Sequence, residues 1–148
     1  MALALAFAVL CGGCVLFHKP SAYRPIHQYA IAGDVAGVAG ELTKTPGDLN
    51  LPDDAGLTPL HLAALHCHTN VVALLLAKGA KVNQEATDDA TPLHLAAQEG
   101  CTDAVTMLLA KGAKVNTRDD QGRTPLKRAE LWHRDATAEL LRQHGGTE

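Results

Sequence analysis

The feature that most constrains this chain is a seven-residue stretch that occurs twice without a change. Thr-Pro-Leu-His-Leu-Ala-Ala begins at Thr58 and again at Thr91, an interval of 33 residues. An altered copy begins at Thr124, after the same interval. Self-similarity at a fixed period of this size is typical of repeat proteins, in which copies of one supersecondary unit stack along a line.

Each unit has the pattern of two helices. Thr is a good N-cap and Pro suits the first helical position, so a helix is predicted to begin at each Thr-Pro pair. A second apolar run follows at 71–76 and at 105–109. It ends at Gly79 and Gly112, which can adopt the left-handed conformation that closes a helix. Its apolar residues are too widely spread for one buried face, which indicates neighbours on several sides.

The signature resembles that of ankyrin repeats, Thr-Pro-Leu-His-x-Ala in a unit of about 33 residues, which is matched in full at Thr58 and Thr91. The resemblance implies an all-α solenoid of four repeats, built from helix-turn-helix units joined by β-hairpin loops. We expect the repeats to cover residues 25–146, with degraded signatures at both ends acting as caps. Their approximate bounds are 25–52, 53–85, 86–118 and 119–146.

Two departures from the signature carry further expectations. In the fourth repeat Lys127 and Arg128 replace its His-Leu, and we expect them to make the exposed side of this cap polar. In the turn before each helix pair, Gly56 and Gly122 hold a position that needs a positive φ, whereas the third repeat has Asp89 there. Asp tolerates this region better than most residues, so we expect a slightly strained turn.

Residues 1–17 contain no charged side chain and are predicted to be a targeting or anchoring segment, followed by a tether over 18–24. The segment resembles a bacterial lipoprotein signal peptide with Cys14 as the lipid acceptor, although Cys11 stands where an aliphatic residue is usual. We therefore expect a bacterial protein at a membrane or in the periplasm, with membrane contact through the N-terminus only. The alternatives are a plain cleaved signal, an uncleaved anchor and a cytosolic protein.

Composition and motifs exclude several classes of function. A net charge of −3 argues against nucleic-acid binding, which needs clustered Lys and Arg. No phosphate loop, nucleophile elbow or suitably spaced pair of carboxylates occurs, and the single serine, Ser21, lies in the tether. We therefore expect no enzymatic activity and no cofactor.

Histidines and cysteines near the turn between the two helices suggest an alternative, a metal- or thiol-based protective site, because zinc and copper use these ligands. Neighbouring repeats lie on the order of 10 Å apart, which disfavours both a shared ion and a Cys67–Cys101 disulfide. We therefore predict no bound metal and two small, buried, unpaired cysteines. In ankyrin repeats the histidine of the signature has a structural role, which sets His61 and His94 aside. The remaining candidates are His66, Cys67, His68, Cys101 and His133.

The resemblance implies binding of an unidentified partner protein by a monomeric chain. Ankyrin arrays use the hairpin tips and the exposed face of the first helices, around the signature. An exposed Trp132 beside Arg123 would be a strong anchor for a partner; alternatively, Trp132 covers the edge of the terminal repeat. The implied contact positions are Asp54, Ala55, Leu57, Leu65 and His66 in the second repeat, Thr87, Asp88, Ala90, Gln98 and Glu99 in the third, and Asp120, Gln121, Arg123, Leu131 and Trp132 in the fourth.

Overall fold

A computed structural model describes residues 24–148 of the chain. The predictions for residues 1–17, including lipidation of Cys14, and for all but the last residue of the tether lie outside the described residues. Between residues 24 and 148, no helix has the length and apolar character needed to cross a bilayer.

The described part of the chain is all-helical, as predicted, with eight α-helices and no strand. Consecutive helices form four pairs, and each pair packs on the next so that the first helices form one layer and the second helices another. The helices are α1 (Pro25–Ala32), α2 (Val35–Lys44), α3 (Pro59–Leu65), α4 (Thr69–Ala77), α5 (Pro92–Glu99), α6 (Thr102–Ala110), α7 (Pro125–Leu131) and α8 (Asp135–Gln143), and a 3₁₀ helix, Pro46–Asn50, follows α2.

The Thr-Pro pairs begin helices as predicted, but the capping contact differs between repeats. At α7 the Thr124 hydroxyl accepts a hydrogen bond from the Lys127 backbone N–H at 3.2 Å. At α3 the histidine of the signature takes part: His61 Nδ1 accepts from the backbone N–H of Thr58 at 3.1 Å. The imidazole thus satisfies a backbone donor at the helix start, where no intrahelical partner exists.

The core contains leucine, valine and alanine at repeating positions. Leu60, Leu93 and Leu126 are all buried, and so are the alanines three residues after each. Burying one leucine contributes about 2 kcal/mol, and the small alanines allow neighbouring helices to approach closely. The second helices are buried on several sides, as their spread of apolar residues indicates.

The segments between helix pairs are tight loops without strand pairing. In the first turn of this kind, the backbone N–H of Asp53 donates to the Leu57 carbonyl at 2.9 Å. Neighbouring loops are joined by single backbone hydrogen bonds, such as that from Thr87 to the Ala55 carbonyl at 3.1 Å. Asp89 has a φ of 57° and Gly56 a φ of 77°, so the prediction of a positive φ at both positions is confirmed.

Arg128 corrects the account of the last repeat, because its side chain is only 4% exposed. From the sequence, Arg128 was predicted to lie on the exposed side of the fourth repeat and to make that side polar. In the structure the guanidinium lies between the third and fourth helix pairs and donates to Asp119 Oδ2 at 2.8 Å. A buried charge with a carboxylate partner therefore stands where the earlier repeats have leucine.

Cys67 and Cys101 are joined by a disulfide, with their Cα atoms 5.2 Å apart, so the prediction of two unpaired, buried cysteines is wrong. That prediction treated the cysteines as equivalent positions of neighbouring repeats. In the structure Cys67 takes the left-handed conformation in the turn between α3 and α4, where Gly100 stands in the next repeat. Cys101 lies one residue beyond that equivalent position, and the two residues meet across adjacent turns. Cys101 is buried, whereas Cys67 is exposed.

Candidate functional site: a groove on the face of the first helices

The loops and the first helices of the second and third pairs enclose an open groove of about 420 Å³. Its apolar lining comes from Leu57, Leu65 and Leu95, and Asp54 and Asp88 add carboxylates. Ala55 and Thr87, one from each loop, complete the lining. The volume lies within the range of about 300–1,000 Å³ that is typical of binding clefts.

Six of the seven residues that line the groove are among the contact positions that the family resemblance implies, and Leu95 is the exception. Leu57 and Leu65 are partly exposed, as expected for contact positions. Leu95 occupies the variable position of the signature, and the prediction took positions around the signature and not within it. The residue at this position differs between repeats of this chain, with Leu95 in the third and Arg128 in the fourth, and that difference was the available signal.

The loops that carry the groove are positioned by buried histidines. His61 Nε2 donates to the carbonyl of Ala90 in the next loop, at 3.1 Å, and His94 Nε2 donates to that of Arg123 at the same distance. Burial disfavours the charged imidazole and lowers the pKa of His61 to about 4, and burial lowers the pKa of His94 as well. Both rings therefore remain neutral near pH 7, with Nδ1 as an acceptor and Nε2 as a donor.

An ionic network around the buried Asp119 lies on the side of the groove that faces the fourth repeat. Asp119 accepts hydrogen bonds from the backbone N–H and the guanidinium of Arg123, at 2.8 and 2.9 Å, and from Arg128. Burial opposes ionisation of Asp119, but these donors outweigh it and hold the pKa at about 2. Arg128 also reaches Asp88 Oδ2 at 3.3 Å, which links the network to the rim of the groove.

Leu131 and Trp132 provide exposed apolar surface at the end of α7, the first helix of the fourth repeat. They are 53% and 54% exposed, the largest fractions among the large apolar side chains of the described residues. Leu131 occupies the position in α7 that Leu65 occupies in α3, so the two leucines face the same side of the helix layer. The Arg123 guanidinium is bound to Asp119 at 2.9 Å, and the pairing of Arg123 with Trp132 stays a prediction.

The other predicted contact positions divide by exposure. Ala90 is fully buried beneath its loop, where its carbonyl receives the His61 hydrogen bond, so its side chain is not accessible to a partner. Gln98 and Glu99, at the end of α5, are partly buried; the Gln98 carbonyl accepts from Arg134 Nε at 3.0 Å. The exposed remainder comprises His66, Asp120 and Gln121.

Four of the five residues proposed for a metal or thiol site, all but the exposed His133, have other partners in the structure. The disulfide occupies both Cys67 and Cys101, and His68 Nε2 donates to the Ile31 carbonyl at 2.7 Å. His66 is exposed and stacks on His68, with ring centroids 6.0 Å apart. Among residues 24–148, no three His, Cys, Asp or Glu side chains are grouped so that they could hold a metal ion.

Comparison with known proteins identifies the repeats. The family model of ankyrin repeats (3 copies) matches residues 5–119 and 81–148. A curated relative, palmitoyltransferase akr1 of Neurospora crassa, is 36% identical over 64 residues, which is 43% of this chain and 9% of that protein. The chain thus spans about a tenth of the length of that relative, and the similarity does not extend to the whole enzyme. On the family match and the repeated helix pairs, the chain belongs to the ankyrin repeat family.

Proposed function

We propose that the chain is a non-enzymatic module that binds a partner protein on the face formed by its loops and first helices. The observation that supports this proposal is the groove with apolar side chains from three leucines. The exposed Leu131, at the position equivalent to Leu65, and the exposed Trp132 at the end of α7 add further apolar surface. Large exposed apolar side chains that cluster on one face are typical of protein interaction sites. Exposed tryptophan is among the residues that most often dominate binding energy.

Two features support the proposal that the module is not an enzyme. Ankyrin repeats typically act in protein–protein interaction, and the loops around the groove use their polar groups for structural hydrogen bonds. The carboxylate of Asp53, for example, accepts from the backbone N–H groups of Ala55 and Leu57, each at 2.9 Å. The transferase named in the relative is nearly all outside the matched 64 residues, so its activity is not proposed for this chain.

We further propose that the module is held at a bacterial membrane or in the periplasm by residues 1–17, with Cys14 as the site of lipidation. The Cys67–Cys101 disulfide supports this location, because structural disulfides persist in oxidising compartments and are rare in the cytosol. Expression in a Gram-negative host with labelled palmitate tests it: label should enter the parent and not the Cys14→Ser variant. Label in neither, with both proteins in the soluble cytosolic fraction, would contradict the location.

Affinity capture from bacterial envelope extracts tests partner binding, with the full chain as bait and Leu57→Ala and Trp132→Ala as variants. A matched control is Val35→Ala, which removes an exposed apolar side chain from α2 in the other helix layer. We expect a protein that is retained by the parent and by the Val35→Ala variant and lost by the other two. Retention that is equal in all four baits would contradict binding on this face.

A further inference from the structure

We propose that the groove between the second and third repeats binds a protein segment in which a Lys or Arg lies beside an aliphatic or aromatic side chain. This inference rests on the proposed function and specifies the chemistry of the partner. It is carried by the juxtaposition of an apolar lining with two carboxylates at one groove, where none of the lining residues is cationic.

The apolar half of the groove selects for an apolar side chain. Leu57 and Leu65 are partly exposed and Leu95 lies beneath them, nearly buried. A side chain that enters the groove removes this surface from water, and a partner's own apolar surface is covered at the same time. Because each buried CH₂ contributes about 0.8 kcal/mol, a Leu, Ile, Met or Phe is favoured over a small or polar residue.

One of the two carboxylates in the acidic half of the groove, that of Asp54, has no cationic partner among the described residues. Between residues 24 and 148, the exposed Asp54 carboxylate makes no hydrogen bond or ion pair. Asp88 is half-exposed; its Oδ2 pairs with Arg128 at 3.3 Å and its Oδ1 accepts from the Ala90 backbone N–H at 3.2 Å, so the unpartnered carboxylate is that of Asp54. Arg128 itself is buried and shared with Asp119, and Arg123 is held by Asp119 too. A cationic partner residue would therefore meet uncompensated negative charge, and an acidic one would be repelled.

Lys and Arg fit both halves of the groove at once. Their alkyl stems pack along apolar surface while their charged heads stay at the polar edge. A stem on Leu57 would leave the head near Asp54, three residues earlier in the same loop. Exposed ion pairs of this kind contribute up to about 1 kcal/mol and act mainly on association rate and specificity. The apolar contact is therefore expected to supply affinity and the carboxylates to select the partner.

The experiment selects binders for the purified full chain from a random library of 12-residue peptides and measures their affinities by fluorescence anisotropy. Ala55→Trp blocks the groove, because Ala55 is exposed and a larger side chain there fills the cleft without entering the core. Asp54→Lys reverses the rim charge. Its matched control is Asp103→Lys, which reverses the charge of an exposed aspartate on α6, in the other helix layer and outside the groove. Circular dichroism verifies that each variant is folded.

Selected peptides should carry Lys or Arg within a few residues of a large apolar side chain. Their affinity should fall about tenfold or more in Asp54→Lys and in Ala55→Trp, and change less than about twofold in Asp103→Lys. Peptides that are blocked by Ala55→Trp but are neutral or acidic, or are insensitive to Asp54→Lys, would overturn this inference and leave the binding face intact. Selection that yields no peptide sensitive to Ala55→Trp or to Trp132→Ala would overturn both the inference and the proposed binding face.

Discussion

Loss of the Cys67–Cys101 disulfide should destabilise the array by an amount that the structure allows us to work out. The bond closes a loop of 34 residues between the second and third repeats. In the chain-entropy treatment, a loop of this length stabilises the folded state by about 4 kcal/mol, because the cross-link restricts the unfolded chain. Cys67→Ala should therefore lower the free energy of unfolding by about this amount.

Replacement of the same cysteine by glycine separates two effects. Cys67 has a φ of 57°, a conformation that costs a non-glycine residue about 1 kcal/mol. Gly33 and Gly100 occupy the corresponding position in the neighbouring turns, with φ values of 71° and 80°. Cys67→Gly should thus lose the disulfide but relieve the conformational strain, so that the free energy of unfolding falls by about 3 kcal/mol.

Urea unfolding followed by circular dichroism measures both variants against the parent. The parent should lose stability on addition of a reductant, whereas Cys67→Ala should not respond, which controls for reduction elsewhere at Cys11 or Cys14. Digestion of the alkylated, unreduced parent should yield one cross-linked peptide pair that contains Cys67 and Cys101. Recovery of both peptides separately and alkylated would refute the disulfide, and equal stability of the parent and Cys67→Ala would refute the entropic reasoning.

Three further predictions follow from buried and exposed side chains. In the folded protein the pKa of His61 is about 4, against an ordinary 6.5. The free energy of unfolding should therefore be highest above pH 6.5 and fall by about 3 kcal/mol as the pH is lowered to 4, because the unfolded chain binds the proton more readily. The midpoint of urea unfolding should depend less on pH in His61→Gln than in the parent. Asp119→Asn should cost about 3 kcal/mol in urea unfolding, because it removes the buried carboxylate that pairs with Arg123 and Arg128 and leaves the buried Arg128 with only the half-exposed Asp88; exposed Asp120→Asn should cost less than about 0.5 kcal/mol, and equal effects would contradict the network. Trp132→Ala should change stability by less than about 0.5 kcal/mol, and the emission of this single tryptophan should resemble that of indole in water before unfolding; a blue-shifted native emission would contradict its exposure.

The architecture was predictable because its determinants are local and repeated. A Thr-Pro pair followed by apolar spacing specifies the start and the buried face of a helix within a few residues. The positive φ at Asp89 was predictable for the same reason, since Gly56 and Gly122 mark the equivalent position in the other loops. The structural role that the family resemblance implies for His61 agrees with its hydrogen bond to the Ala90 carbonyl, which lies in the next repeat.

The candidate site was only partly predictable. Alignment of the repeats places Leu57 and Leu65 on one face, but it cannot show that Ala90 is buried beneath its loop. Nor does it show that the Arg123 guanidinium binds Asp119. These outcomes depend on which side chains compete for the same space and the same donor, and that competition is decided only when neighbouring repeats pack.

The sequence by itself determined the repeat period, the order of the helices and the family, because these depend on residues that act within one unit. The tertiary structure decided the features that arise between units. It joined Cys67 to Cys101 because a left-handed residue and an offset of one position bring adjacent turns within bonding distance. It buried Arg128 because Asp119 and Asp88 converge on it from two different loops. Such contacts depend on distances in space between neighbouring repeats, and the repeat interval in the sequence does not give those distances.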